Sequence, residues 1–174
     1  MSPDQGERDR APRPPSASSV ELVQHMELLD ANLLGNVHGG AVMKLVDTAG
    51  GLSAIKHSGG TVVTVAMDEM SFMEPVRLGD VVTVRAMVND VGTTSMEVGV
   101  RVEAENPLTG ACVHSSSAYL VYVALDGAGK PRPVPPLQPE TRDERRRQSE
   151  AKLRRTARLA RKEAIRAGRA AKGE

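Results

Sequence analysis

The strongest constraint on this chain is a single change of period. Between Val42 and Ile55, the apolar residues Val42, Leu45, Val46, Ala49, Leu52 and Ile55 recur at steps of three and four, the spacing of a helix. This happens once in the body of the chain. Before it, Val20, Leu22, Met26 and Leu28 are interleaved with Glu21, His25 and Glu27 as in a half-buried strand. After it come four more strand-like runs: Thr61–Met67, Val82–Asn89, Met96–Ala104 and Cys112–Leu125. The last becomes apolar on both parities beyond Ala118, as a strand covered on both faces would. The helical run carries few charges and is apolar around much of its circumference, so it is expected to be buried. One long helix and about five strands predict an α+β domain whose antiparallel sheet wraps around the helix.

The ends of the chain have another character. Residues 1–18 are rich in Pro, Ser, Asp and Arg and lack periodicity, which predicts a disordered arm. The prolines at 131, 133, 135, 136 and 139 close the predicted domain, residues 19–137. The tail, residues 138–174, is rich in Arg and Ala, and its apolar Leu153, Leu159 and Ile165 stand six apart. Its composition suits a helix, but no continuous stripe results, so the tail is expected to be solvated or disordered in isolation. The net charge of +1 conceals a split: residues 19–140 hold 7 basic and 14 acidic side chains, and residues 141–174 hold 13 basic and 5 acidic. A basic tail without interleaved aromatics favours weak, salt-sensitive phosphate contacts at most, and nucleic-acid binding is not expected. A single Cys112, no apolar run near the roughly 18 residues of a membrane span, and no apolar segment in the N-terminal stretch suit a soluble cytoplasmic protein.

Among motifs, there is no Gly-x-Ser-x-Gly elbow, His-Glu-x-x-His or Walker A sequence, and the four histidines show no metal-ligand spacing. Neither a metal nor an organic cofactor is expected. What remains is a short list of polar residues in otherwise apolar surroundings. Asp47 stands within the helix, flanked one turn on by Gly50 and Gly51, a small-residue floor where a substrate could come close. A surface pairing of Asp47 with Lys44 fits the same spacing. Asn32 and Asn36 lie in the turn before the helix, where Asn also serves simply to cap backbone, and Asn36 is placed to cap the helix. Gly39 and Gly40 open the helix, where free N–H groups could hold an oxyanion. An acid, an amide and an anion-holding backbone suffice for thioester hydrolysis. A thiolate whose conjugate acid has a pKa of about 8.5 leaves without a general acid. A partly buried Asp, made more basic by desolvation, can activate water or attack directly.

The segments Asp30-Ala-Asn-Leu-Leu-Gly-Asn-Val-His-Gly-Gly40, Met43-Lys-Leu-Val-Asp47-Thr-Ala-Gly50, Val62-Val-Thr64, Phe72-Met-Glu-Pro-Val76, Gly79-Asp80 and Gly92-Thr-Thr-Ser-Met96 resemble the acyl-CoA thioesterases of the hotdog superfamily. The resemblance runs from about Val20 to about Val134. It implies hydrolysis of acyl-CoA to free acid and CoA, by dimers whose sheets join edge to edge and which commonly assemble further into hexamers. It implies a site at the dimer interface, with Asp47 as base or nucleophile and Asn32 of the partner subunit orienting water or the thioester carbonyl. Gly40 is assigned to the oxyanion, and Gly92, Thr94 and Ser95 to the turn that follows the pantetheine and phosphates of CoA. The phosphates also need cations. Arg77, beside the Phe72–Val76 motif, is the nearest in the body, with a surface ion pair as its other reading. Alternatively the tail folds back and brings Arg142 or the run Arg145–Arg147. Met43, Met67, Met70 and Met73 suggest an adaptable wall for the acyl chain. Three other functions compete: a non-catalytic acyl-CoA-binding module, which has no need of Asp47 and Asn32; a hotdog protein whose basic tail associates with nucleic acid, which the acidic body opposes; and a dehydratase, which would pair the acid with a His, here only His38.

Overall fold

The computed structural model describes residues 11–170. Five strands, β1 (Val20–His25), β2 (Val62–Phe72), β3 (Val81–Val91), β4 (Ser95–Glu105) and β5 (Cys112–Ala124), form one antiparallel sheet in the order β1-β3-β4-β5-β2. The long helix α1 (Gly39–Ser58) lies against its concave face. This is the predicted hotdog arrangement, with β1 and β2 at the edges.

Alternation builds the core. Val82, Val84, Ala86 and Val88 of β3, Met96, Val98, Val100 and Val102 of β4, and Ala118, Leu120 and Tyr122 of β5 all turn inward. They meet Val42, Val46, Ala49 and Ala54 of α1. Two expectations are corrected here. First, β1 ends at His25, and Leu28 stands exposed in a short 3-10 turn, Leu28–Asp30. Second, α1 is not buried around its circumference. It buries one face, much of it small residues (Ala49, Gly50, Ser53, Ala54), while Met43, Asp47, Leu52 and Ile55 are exposed. Apolar periodicity counts residue types, and in this protomer the sheet covers only half of them.

The flanking segments are also more ordered than expected. Of the arm, residues 1–10 lie outside the described residues. From Arg13 onward the chain is tied down: Arg13 donates to the main-chain carbonyl of His57 at 2.7 Å, at the end of α1. Pro15–Ser18 forms a 3-10 turn, and the buried Ser18 hydroxyl accepts the Val88 N–H at 2.9 Å. The proline-rich stretch runs back along the body, where Pro135 O meets His57 Nε2 at 3.0 Å.

It then delivers a second helix, α2 (Arg142–Ala170), onto the convex face of the sheet. The tail that was expected to be solvated is helical because it docks by charge, not by an apolar stripe. Gln148 donates to Asp90, Arg154 pairs with Glu97 at 2.7 Å, and Arg158 pairs with Asp68. The Arg154 guanidinium also covers the Tyr119 ring, 3.6 Å from its centroid, a cation–π contact. Thr141 caps the helix start by accepting the Glu144 N–H at 3.1 Å, and the Glu144 carboxylate reaches back to accept the N–H groups of Thr141 and Glu140, a capping box. The acidic body and basic tail of the sequence are thus partly each other's counter-charges.

Glu97 is only 5% exposed, so its charge depends on Arg154. Arg154→Ala is expected to cost about 3 kcal/mol, because a carboxylate is left buried and unpaired. The double change Arg154→Met with Glu97→Gln should cost clearly less. Urea denaturation of the three proteins checks this.

Candidate active site

Asp47 sits mid-way along α1 on the face turned away from the core. Two hydroxyls from the sheet reach it. Thr64 of β2 donates to Asp47 Oδ1 at 2.8 Å. The Tyr122 hydroxyl of β5 shares its one proton between the Asp47 main-chain carbonyl at 3.0 Å and the same carboxylate oxygen at 3.2 Å. The carboxylate therefore takes its partners from the sheet, not from Lys44. Burial first, and then the neighbouring Asp47 carboxylate, push the Tyr122 phenol far up from its ordinary value, so it is a standing donor. Neither hydroxyl stood out in the sequence as a site residue: Thr64 belongs to a β-branched strand run, and Tyr122 to an apolar one. The glycine floor beside Asp47 also has another use. A Cβ at Gly50 would collide with the Tyr122 hydroxyl and lie 3.1 Å from Cζ, so this glycine admits the phenol, not a substrate.

The turn before α1 is arranged by Asn32. Its Oδ1 accepts the N–H groups of Leu34 at 2.8 Å and Asn36 at 3.2 Å, and its Nδ2 donates to the Val37 carbonyl at 3.3 Å. Within the protomer the amide is thus engaged in holding its own turn. Leu28, Leu29, Leu33 and Leu34 project from this turn into solvent. The helix cap is His38, not Asn36: His38 Nδ1 accepts the Gly40 N–H at 2.8 Å. That corrects the assignment of Gly40 as a free oxyanion donor, since its N–H already has a partner.

The turn and the acid are not together in one protomer. Gly40 and Asp47 are seven residues apart on α1, about 10 Å at 1.5 Å per residue. An oxyanion donor and a nucleophile that act on one carbon must both lie about 3 Å from the reacting atoms. The surface of α1 around Asp47 is apolar and open at Met43, Leu52 and Ile55, beside the edge strand β2. An exposed apolar face beside an unpaired strand edge marks a contact with another chain.

The remaining site residues are dispersed. Arg77 is exposed, beside the Asn32 turn through a bridge between Asn36 and Arg77. Its main-chain N–H donates to Asp80 at 2.8 Å. Gly92, Thr94 and Ser95 form the β3–β4 turn, closed by Gly92 N–H to Ser95 O at 2.7 Å. The cation at that turn comes from α2: the Arg155 guanidinium lies where a Cβ of Gly92 would point. The arginines expected there are occupied at the start of α2, Arg146 and Arg147 with Asp143, and Arg145 with the Pro139 and Glu140 carbonyls. Of the four methionines, Met73 lines an apolar groove of about 350 Å³ together with Val37, Gly39, Val42, Phe72 and Val76. Met67 and Met70 pack on the core instead, and Met43 is on the exposed face of α1.

This geometry is that of a hotdog domain with an acid on the helix and a polar turn at the helix start. The family description "Thioesterase superfamily" matches residues 34–111. The cytosolic acyl coenzyme A thioester hydrolase of Mus musculus is 36% identical over 143 residues, 81% of this chain, and the chain spans 38% of that relative's length. A hexameric acyl-CoA thioesterase solved without ligand is 35% identical with a TM-score of 0.84, over 87% of this chain and 97% of that one. The acyl-CoA hydrolase of Staphylococcus aureus, solved with butyryl coenzyme A, coenzyme A and coenzyme A disulfide, is 30% identical with a TM-score of 0.84, over 93% and 99%. Structures of the same S. aureus hydrolase also exist with an asparagine, an aspartate and a threonine each replaced by alanine. The chain belongs to the thioesterase superfamily.

Because His38 caps α1 through its ring, His38→Ala is expected to lower stability by about 1 kcal/mol, as loss of a helix cap does. Amide exchange at Gly40 should accelerate at the same time. Thermal unfolding and hydrogen exchange read both effects.

Proposed function

We propose that the chain is an acyl-CoA thioesterase whose site is shared between two protomers. The observation that carries this reading is a spacing. Asn32, Asp47 and Thr64 stand at the same mutual intervals as the asparagine, aspartate and threonine replaced in the S. aureus hydrolase. Here Asp47 and Thr64 are joined by a hydrogen bond.

In the proposed reaction, Asp47 of one protomer takes a proton from water, or attacks the carbonyl carbon itself. Asn32 and the helix start of the partner face the thioester. The negative charge that develops on the carbonyl oxygen is met at that helix start by the Gly39 main-chain N–H, since the Gly40 N–H is held by His38. The carbon–sulfur bond then breaks, and CoA leaves as a thiolate without help from a general acid. No metal or organic cofactor takes part. The acyl chain lies along the apolar groove lined by Val37, Val42, Phe72 and Met73. The phosphates of CoA run past Gly92, Thr94 and Ser95, with Arg155 and Arg77 as their cations. Docking brings the partner's Asn32 turn, with its exposed leucines, over the open face of α1 and β2, which removes Asp47 from bulk water. A dimer is therefore the smallest active unit, and the hexameric relative supports a trimer of dimers. A cytosolic location is supported by the name of the mouse relative. Nucleic acid is not a partner on this reading, because the docked part of the basic helix is occupied by the protein's own carboxylates.

Thiol release from a panel of acyl-CoA esters tests the activity. Asp47→Asn is expected to lower kcat at least ~100-fold with KM retained. Full activity in that variant would move the base elsewhere. Co-expressed Asn32→Ala and Asp47→Asn chains test the sharing. Random pairing leaves one intact site in each mixed dimer, so about a quarter of wild-type activity should return. No recovery would place both residues in one protomer's site.

A further inference from the structure

We infer that Tyr122 is a positioning residue of this site, which together with Thr64 anchors Asp47 Oδ1 so that Oδ2 is the oxygen presented to water or to the thioester. This rests on the thioesterase reading and adds to it the device that aims the acid.

The argument is geometric. A carboxylate on an exposed helix face turns freely about χ1 and χ2, and a base held loosely loses rate through misplacement. Asp47 is held by two donors arriving from different strands, and both choose Oδ1. Tyr122 is 1% exposed, so its own position is fixed by the core. Its one proton is shared between Oδ1 and the Asp47 main-chain carbonyl, which ties the phenol to the helix at the residue it serves. The chain makes room for this contact at Gly50. A glycine inside a helix is less favourable than alanine, and here alanine would drive its Cβ into the Tyr122 hydroxyl. A phenylalanine at 122 would fill the same core volume without aiming anything, so the hydroxyl is the part with a function.

The test uses the full-length protein and butyryl-CoA as the probe. Tyr122→Phe is expected to lower kcat about 10–30-fold while KM stays within about twofold, because substrate contacts are untouched and only the aim of the acid is lost. Gly50→Ala should produce a similar kcat loss by displacing the phenol. Added to Tyr122→Phe it should lower kcat little further, since the two changes disable one contact. Wild-type kcat in Tyr122→Phe, or losses of the two variants that simply multiply, overturns the inference while leaving the thioesterase reading in place. If the wild type hydrolyses no acyl-CoA, or Asp47→Asn remains active, the thioesterase reading falls and this one with it.

Discussion

The rest of the structure depends on how little of α1 its own sheet covers. The sheet is met by one face of the helix, Val42 and Val46 with the small residues Ala49, Gly50, Ser53 and Ala54. The larger apolar residues, Met43, Leu52 and Ile55, are left outside beside the unpaired edge of β2. Such a face is stable in water only as long as nothing offers to cover it. Asp47 lies within this face. Its setting is therefore incomplete in the single protomer, and the same event that covers the leucines and methionines would also dry the carboxylate.

The convex face is handled by different chemistry. Asp68, Asp90 and Glu97 are carboxylates on a sheet surface that would otherwise be open, and burial pushes the Asp90 carboxyl up from its ordinary value. Helix α2 brings Arg154, Arg155, Arg158, Lys152 and Gln148 over them. A helix attached through long polar side chains needs no apolar stripe. It also leaves its last turns, beyond Arg158, exposed. The main hydrophobic core of the domain thus sits on the α1 side, and α2, which buries Ala151, is a largely polar cover fixed at its start by Glu144 and at its middle by Glu97.

This division explains what could be read in the sequence. The strands were legible because period-two alternation is local: Met96, Val98, Val100 and Val102 announce β4 by themselves. The existence of α1 was legible for the same reason, but its exposed face was not, since which residues the sheet covers is decided by strands far along the chain. Asp47 and Asn32 stood out as polar types in apolar or glycine-rich surroundings. Thr64 and Tyr122 did not, because threonine and tyrosine are good strand formers and their hydroxyls acquire meaning only when β2 and β5 are laid beside α1. The docking of α2 was invisible to periodicity. Its pairs, Glu97 with Arg154 and Asp68 with Arg158, span 57 and 90 residues. The capping of Gly40 by His38 was local, yet histidine is an uncommon cap and glycine there suggests an open N–H.

The sequence pointed to desolvation as the means of activating Asp47, and the structure offers orientation first. A thioester needs less from its base than an amide does, because the thiolate leaves unaided. A carboxylate that is merely well aimed is then adequate, provided that bulk water is excluded when the reaction runs. The protomer supplies the aim, through two hydroxyls on one oxygen. On the proposed reading a second protomer supplies the exclusion, together with the anion-holding end of its own helix. Splitting the two requirements between copies leaves an isolated chain with an oriented but fully solvated acid and no oxyanion donor within reach of it. On that reading, hydrolysis of the thioester is confined to the assembled protein.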